Sequence, residues 1–326
     1  MIDRRGFIGT LTGALLTTPR PAAAQGAGRG YRLGFLGGAS APGYASLLEA
    51  MRAGLADHGY VEGQSIAIEY RWADGKYDRL PALAGELVRL KVELIITQGT
   101  PAALAAKKAT TTIPIVMAIV GNPVETGIVA SLAHPGGNIT GSSFFWGDLN
   151  AKRLEVMKTL NPRLTRAGVL MNGDNPAMVP VLQTMEERAQ ALRVKLRAMY
   201  VRRLSELETA LTAARPQVEA LIVVDDGLFV GNARRLASLA VQNRLPSVGF
   251  REYCEAGGLI AYGVDFPYIW RRSMVFVDKV LKGARAGDLP IEQADKFELI
   301  INTATAKALG TAVPRSLLLR ANQVIE

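Results

Sequence analysis

The residues equipped for chemistry in this chain are few. Asp225 and Asp226 stand side by side, and a carboxylate pair serves acid–base hydrolysis or holds a cation. Neighbours on an extended backbone point to opposite sides, so these two do not readily share a proton. One of them is expected to face a ligand and accept from its amine or hydroxyl. Cys254 is the only cysteine, and the two histidines, His58 and His134, lie far from it in sequence. A thiol with no base close by reads as a core residue rather than a nucleophile. One cysteine also leaves no internal disulfide, so packing alone must hold the fold. His58 ends a helix beside Gly59, and His134 precedes Pro135. Neither has metal-ligand spacing to a second His or Cys. The G-x-S-x-G elbow, the P-loop and the G-x-G-x-x-G fingerprint are all missing from the sequence. The expectation is no catalytic residue, no metal and no cofactor, with a hydrolase using Asp225 or Asp226 as the rival.

The sequence is richer in uncharged donors placed where apolar runs end. In the first half these are Gly37-Gly38-Ala39-Ser40, Trp72-Ala73-Asp74, Gln98-Gly99-Thr100-Pro101 and Gly121-Asn122-Pro123. In the second half they are Asn172-Gly173-Asp174-Asn175-Pro176, Asp225-Asp226-Gly227 and Phe250-Arg251. Gly141 to Trp146 and Gly263-Val264-Asp265-Phe266 lie at the joints between halves. Such residues cap helices, and the same amides and hydroxyls bind carboxylates or phosphates. Several of them on one edge favour binding. The candidate ligand-binding set is Ser40, Tyr44, Trp72, Gln98, Gly99, Thr100, Asn122, Ser142, Ser143, Asn172, Asn175, Asp226 and Asp265. Trp72, Trp146 and Trp270 each fall just past an expected strand. With Tyr44, Phe144, Phe145 and Phe229 they describe a cleft that accepts a ring.

A scaffold must bring these loops to one place, and the hydrophobic pattern supplies it. Strands are expected at 31–36, 65–70, 93–97 and 113–118, separated by helices at 45–58, 78–90 and 101–109. A helical turn or two is expected over 122–133, and 139–141 starts an exit strand. After a linking helix at 152–160 the rhythm repeats. Strands fall at 166–171, 195–200, 220–224 and 246–249, with helices at 179–192, 204–214 and 230–243. A strand at 258–264, a helix at 268–282, a strand at 297–301 and a short helix at 303–309 complete the chain. Two such runs predict an α/β protein of two doubly wound, Rossmann-like lobes with parallel sheets. Right-handed crossovers put the loops at the strands' carboxyl ends on one side of each sheet. The first lobe is expected over 31–143 plus 265–289 and the second over 144–264 plus 290–326. Three chain crossings are expected, near 142–145, 263–266 and Pro290.

The chain has 326 residues, a net charge of +9 and 49% hydrophobic residues. Lysines and arginines are scattered with no basic run of five, which argues against a nucleic-acid partner. At the start, Arg4-Arg5 precede the apolar run from Phe7 to Leu16, and Ala22-Ala23-Ala24 follow. That pattern reads as a twin-arginine export signal over residues 1–24, cut after Ala24. It places the remainder in the periplasm with a charge of +7, once Arg4, Arg5, Arg20 and Asp3 are gone. No stretch of 18 apolar residues follows that could cross a bilayer.

Several segments resemble a known family, the solute-binding components of ABC importers, in the branch with tryptophan-binding relatives. They are 49–55 running to Gly59-Tyr60, Tyr70-Arg71-Trp72-Ala73, and Thr97 to Ala103. Gly121-Asn122-Pro123-Val124, Pro135-Gly136-Gly137-Asn138-Ile139-Thr140-Gly141 and Pro314 to Leu318 complete the likeness. The resemblance covers nearly all of residues 31–326. It implies the type I two-lobe fold, a three-strand hinge, and closure around a small solute such as an amino acid or an aromatic or carboxylate compound. The implied partner is a membrane permease, served by a monomer. A sensor that shows its closed form to a membrane receptor is the alternative the same fold allows.

Overall fold

The computed structural model describes residues 30–326. The arginine pair and the expected cut after Ala24 lie outside the described residues. The first half folds as β1 (Tyr31–Gly37), α1 (Ala45–Asp57), β2 (Ile66–Trp72), α2 (Leu80–Arg89), β3 (Leu94–Gln98), α3 (Thr100–Ala109), β4 (Ile115–Gly121) and β5 (Ile139–Phe144). The second begins with α4 (Trp146–Leu160), β6 (Arg166–Asn172), α5 (Met178–Leu192), β7 (Lys195–Val201), α6 (Leu207–Ala214) and β8 (Ala220–Val223). It continues with α7 (Gly227–Val230), α8 (Ala233–Gln242), β9 (Ser247–Gly249), α9 (Arg251–Glu255) and β10 (Ile260–Val264). Then follow α10 (Phe266–Leu281), β11 (Glu292–Gln293), β12 (Phe297–Asn302), α11 (Thr303–Ala308), α12 (Arg315–Leu318) and β13 (Gln323–Ile325).

The strands form two sheets, in the orders β11-β5-β4-β3-β1-β2 and β13-β12-β10-β9-β8-β6-β7. Every pair in the first sheet is parallel. All seven residues of β4 are buried, as a strand covered by helices on both faces requires. Each half is wound in the same sense: β1 lies between β2 and β3, and β6 between β7 and β8. At these two places the chain moves off in opposite directions along the sheet, and the carboxyl ends of the strands there open into a crevice.

The chain passes between the sheets at three places. It leaves the first sheet after Phe144, the end of β5, and enters α4. It returns after Val264 into α10, which packs so tightly on α1 that a Cβ on Gly54 would lie 2.2 Å from the Arg271 carbonyl oxygen. The third passage departs from expectation. Glu292 and Gln293 still pair with Ser142 and Ser143 of β5, so the crossing lies between Gln293 and Phe297, not at Pro290. This passage also explains why the second sheet is not wholly parallel. The chain arrives at the cleft side, where the parallel strands end, so β12 runs antiparallel to β10.

Two expected helices also change. Residues 122–133 form a chain of turns, because Gly127 sits at φ +70°, in the left-handed region, and diverts the backbone after one turn. The helix expected over 230–243 divides at Gly231-Asn232 into α7 and α8. Trp72 belongs to β2 and Trp270 lies inside α10, so only Trp146 stands just past a strand.

Candidate functional site

The ends of β1 and β3 face the ends of β8 and β9 across one cavity of about 620 Å³, its mouth included. The first-lobe wall is built by Gly38, Tyr44, Tyr77, Gln98, Gly99, Thr100 and Gly121, and the second-lobe wall by Asn175, Asp225, Asp226, Gly227 and Glu252. Phe144, Trp146, Phe266 and Trp270 close the inner end, where the chain crosses.

On the first wall, Gly99 takes φ +78° and turns β3 sharply into α3. Pro101 fills the first turn of that helix, where a missing N–H costs nothing. Thr100 and Ala102 line the cavity with amides from a first turn that has no intrahelical acceptor. Thr100 is fully buried, and its hydroxyl lies 3.5 Å from the Gly121 carbonyl.

Asp226 organises the second wall. Its Oδ1 accepts from Asn172 Nδ2 at 2.8 Å and from the Leu228 amide at 2.9 Å, which caps α7. Its Oδ2 accepts from Asn175 Nδ2 at 2.9 Å. A fourth donor comes from the opposite lobe, the Tyr77 hydroxyl, at 2.8 Å from Oδ1. Burial raises the pKa of Asp226, and the four donors oppose that rise. Tyr77 and Tyr44 are both held well above the ordinary tyrosine range, first by burial and then by Asp226, so both stay neutral phenols.

Asp225 is occupied differently. Arg153, fully buried in α4, grips it with two bonds of 2.7 and 3.0 Å and also donates to the carbonyls of Val223 and Tyr262. The two carboxylates therefore have separate partners, and neither is a free general base. Glu252, at the start of α9, is the third acidic group of this wall. Its Oε2 is closed to solvent and has no hydrogen-bond partner among the described residues. Burial is the largest cause of a pKa pushed up to about 7. The indole Nε1 atoms of Trp146 and Trp270 are likewise buried without a partner. Among the described residues no lysine or arginine lines the cavity.

Of the expected site residues, Tyr44, Gln98, Gly99, Thr100, Asn175 and Asp226 line the cavity. Asn172 stands one bond behind, holding Asp226. The others do not reach the lining. Trp72 packs among Phe35, Tyr44 and Tyr70 beneath Gly37. Asn122 accepts from the Trp146 amide at 2.9 Å and so anchors that ring's helix. Ser142 and Ser143 are buried inside β5. Asp265 caps α10 through Tyr268 N at 3.1 Å and pairs with Lys296. Ser40 lies beside Gly231, where the lobes meet. Sequence reasoning missed Tyr77 and Glu252. Both sit just beyond strand-end loops it had singled out, three residues after Asp74 and one after Arg251. Cys254 is a buried thiol, pushed up to about 12 by burial. No cluster of three metal-ligating side chains exists among the described residues, and no helix there is long and apolar enough to cross a membrane.

Comparison with known proteins agrees with this geometry. A family profile described as ABC transporter substrate binding protein matches residues 39–325. A tyrosine-binding protein of Clostridioides difficile is 31% identical over 256 residues, covering 78% of this chain and 74% of that one. The crystal structure of an ABC domain in complex with L-Trp from Streptococcus pneumoniae superposes with a TM-score of 0.84 at 25% identity, over 91% of this chain and all of that one. A ligand-free, open substrate-binding protein of Clostridium difficile gives 0.64 at 24% identity, over 90% of this chain and 99% of that one.

Proposed function

The chain belongs to the ABC transporter substrate-binding protein family, and on that premise we propose that it is the exported solute-binding component of an importer. Its lobes close around one small solute that carries an aromatic ring. The observation that carries this reading is the cavity. It lies where both sheets reverse their winding, is walled by strand ends of both lobes, and is floored by Phe144, Trp146, Phe266 and Trp270. Rings of this kind bury a planar solute and orient it by edge and face contacts. The named relatives support the same class, since one binds tyrosine and another was solved with L-Trp.

The lobes of this reading are 31–144 with 265–293, and 145–264 with 297–326. A solute touching both stabilises the closed form, and a membrane permease recognises that form. Hydrolysis is the weaker reading, because Asp225 is gripped by Arg153 and Asp226 already receives four donors. The protein would work as a monomer in the periplasm after cleavage behind Ala24. Calorimetry against L-tyrosine, L-tryptophan, benzoate and 3,4-dihydroxybenzoate tests the solute class; absence of binding to all four sinks it. Export is tested by replacing Arg4 and Arg5 with lysine, which should leave precursor in the cytoplasm. Unchanged periplasmic yield removes the twin-arginine route.

A further inference from the structure

Tyr77 stands where the cavity, the surface and the second lobe meet. It lines the cavity and, with Pro101, also an outer groove bounded by Leu80, Leu104, Asp174 and Pro176. Its ring therefore stands between the two. The groove takes walls from both lobes, α2 and α3 on one side and the loop between β6 and α5 on the other. The turn that carries Tyr77 is pinned to the end of β1. The Asp74 amide donates to the Ala39 carbonyl at 3.1 Å, and the Gly75 amide to the Gly38 carbonyl at 2.8 Å. The ring lies against Gly38, where a Cβ would come within 2.8 Å of Tyr77 Cε1. A side chain held in this way loses little further freedom when it makes a bond.

The bond it makes crosses the cleft. The Tyr77 hydroxyl donates to Asp226 Oδ1 at 2.8 Å, and among the described residues this is the one side-chain hydrogen bond between the lobes away from the chain crossings. Asn172, Asn175 and the Leu228 amide hold the carboxylate still to receive it. Elsewhere along this seam glycines meet backbone. Gly43 faces Gly231, and a Cβ on Gly227 would stand 3.2 Å from the Tyr77 hydroxyl and 3.3 Å from the Ala39 nitrogen. Such surfaces fit closely yet bury little apolar area, so the hydroxyl–carboxylate bond supplies the attraction. Both of its partners belong to the chain, so it needs no solute to form.

We propose that Tyr77 is a latch at the mouth of the cleft: its hydroxyl on Asp226 holds part of the empty protein closed and slows the escape of a solute already inside. The inference rests on the two-lobe closure proposed above, and not on which solute is bound. A closed form populated in advance costs the solute less to reach, and apparent affinity rises accordingly. The solute enters the open form, in which the latch is unmade, so the latch acts on release rather than on capture.

The test is Tyr77→Phe, which keeps the ring and removes only the hydroxyl. Without the bond the closing constant should fall at least about tenfold, so solution scattering on the empty protein should give a larger radius of gyration for the variant than for the wild type. Stopped-flow fluorescence of the cavity tryptophans with L-tyrosine should show release at least about tenfold faster and capture within about twofold of wild type. The urea midpoint of the empty protein should not move. A merely supporting role for Tyr77 within the Asp226 network would do the reverse, lowering that midpoint and leaving radius and release as they were. An unchanged radius in the empty variant overturns the latch, and so does an unchanged release rate. If the radius grows while L-tyrosine, L-tryptophan and benzoate all fail to bind, the latch stands and the aromatic-solute reading falls. If L-tyrosine binds and leaves both proteins at one rate, the latch falls and that reading survives.

Discussion

Gly43→Ala should disable closure without touching the solute. Gly43 lies in the turn before α1, in the first lobe, and Gly231 follows α7 in the second. A Cβ on Gly43 would stand 2.5 Å from the Gly231 Cα, against about 3.5–4.0 Å for carbons in contact. Both partners are backbone, so no side chain can rotate aside, and the lobes must part by about 1 Å along this edge. The same edge carries the Tyr77–Asp226 bond, 2.8 Å long. An opening of that size takes it beyond hydrogen-bond reach. A lost bond to a charged group costs about 1.5–3 kcal/mol, which predicts solute affinity lower by about 10- to 150-fold. Gly43 does not line the cavity and has an ordinary negative φ. The empty protein should therefore melt at the wild-type temperature or slightly above, since alanine lowers the entropy of the unfolded chain. Calorimetry gives the affinity, and solution scattering reports whether solute still reduces the radius of gyration. Wild-type affinity with normal compaction would show that the lobes do not close along Gly43 and Gly231, and the reasoning would fail.

Three further outcomes follow from the second-lobe wall. Asp226→Asn replaces an acceptor of four donors with an amide, one end of which is itself a donor, and should destabilise the empty protein by about 2–3 kcal/mol in urea unfolding; an unchanged midpoint would deny Asp226 its structural role. Arg153→Met leaves Asp225 buried without its partner and should cost about 3–5 kcal/mol by the same assay, whereas a neutral result would mean that Asp225 reaches solvent. Glu252 titrates near its ordinary value of 4.5 when unfolded and at about 7 when folded. The native state therefore binds the extra proton between those values, and stability falls as pH rises through them, fully so above 7. Glu252→Gln should then be more stable than wild type by about 1–3 kcal/mol at pH 8 and equal to it at pH 4; equal stability at both would place Glu252 in water.

The architecture was legible because every strand of the two sheets' centres is a short apolar run between turn residues, such as Leu94–Gln98 between Lys91 and Gly99. The loops at the cleft were legible for the same reason, since strand ends must lie on one edge. The roles within them were not. Asn122 and Asp265 look like ligand donors in one dimension, yet each holds a neighbouring helix. Pro135-Gly136-Gly137-Asn138-Ile139-Thr140-Gly141, the most distinctive motif, is structural. Asn138 holds the carbonyls of Thr110 and Ile113, and Thr140 that of Leu289. Gly141 takes φ +132° with no room for a Cβ, which would lie 2.2 Å from the Met117 carbonyl oxygen. Tyr77 meets Asp226, 149 residues away, through a closure between lobes that no local pattern encodes. The two-residue β11 has too short a pattern to register, which is why the last crossing was placed too early.

The most direct test of the account is a crystal structure of the protein grown with L-tyrosine or L-tryptophan. One molecule should lie between the lobes, its ring against Trp146 and Trp270 and its acid at the first turn of α3. A molecule bound outside this cavity, or within it with its ring away from Trp146 and Trp270, would contradict this reading.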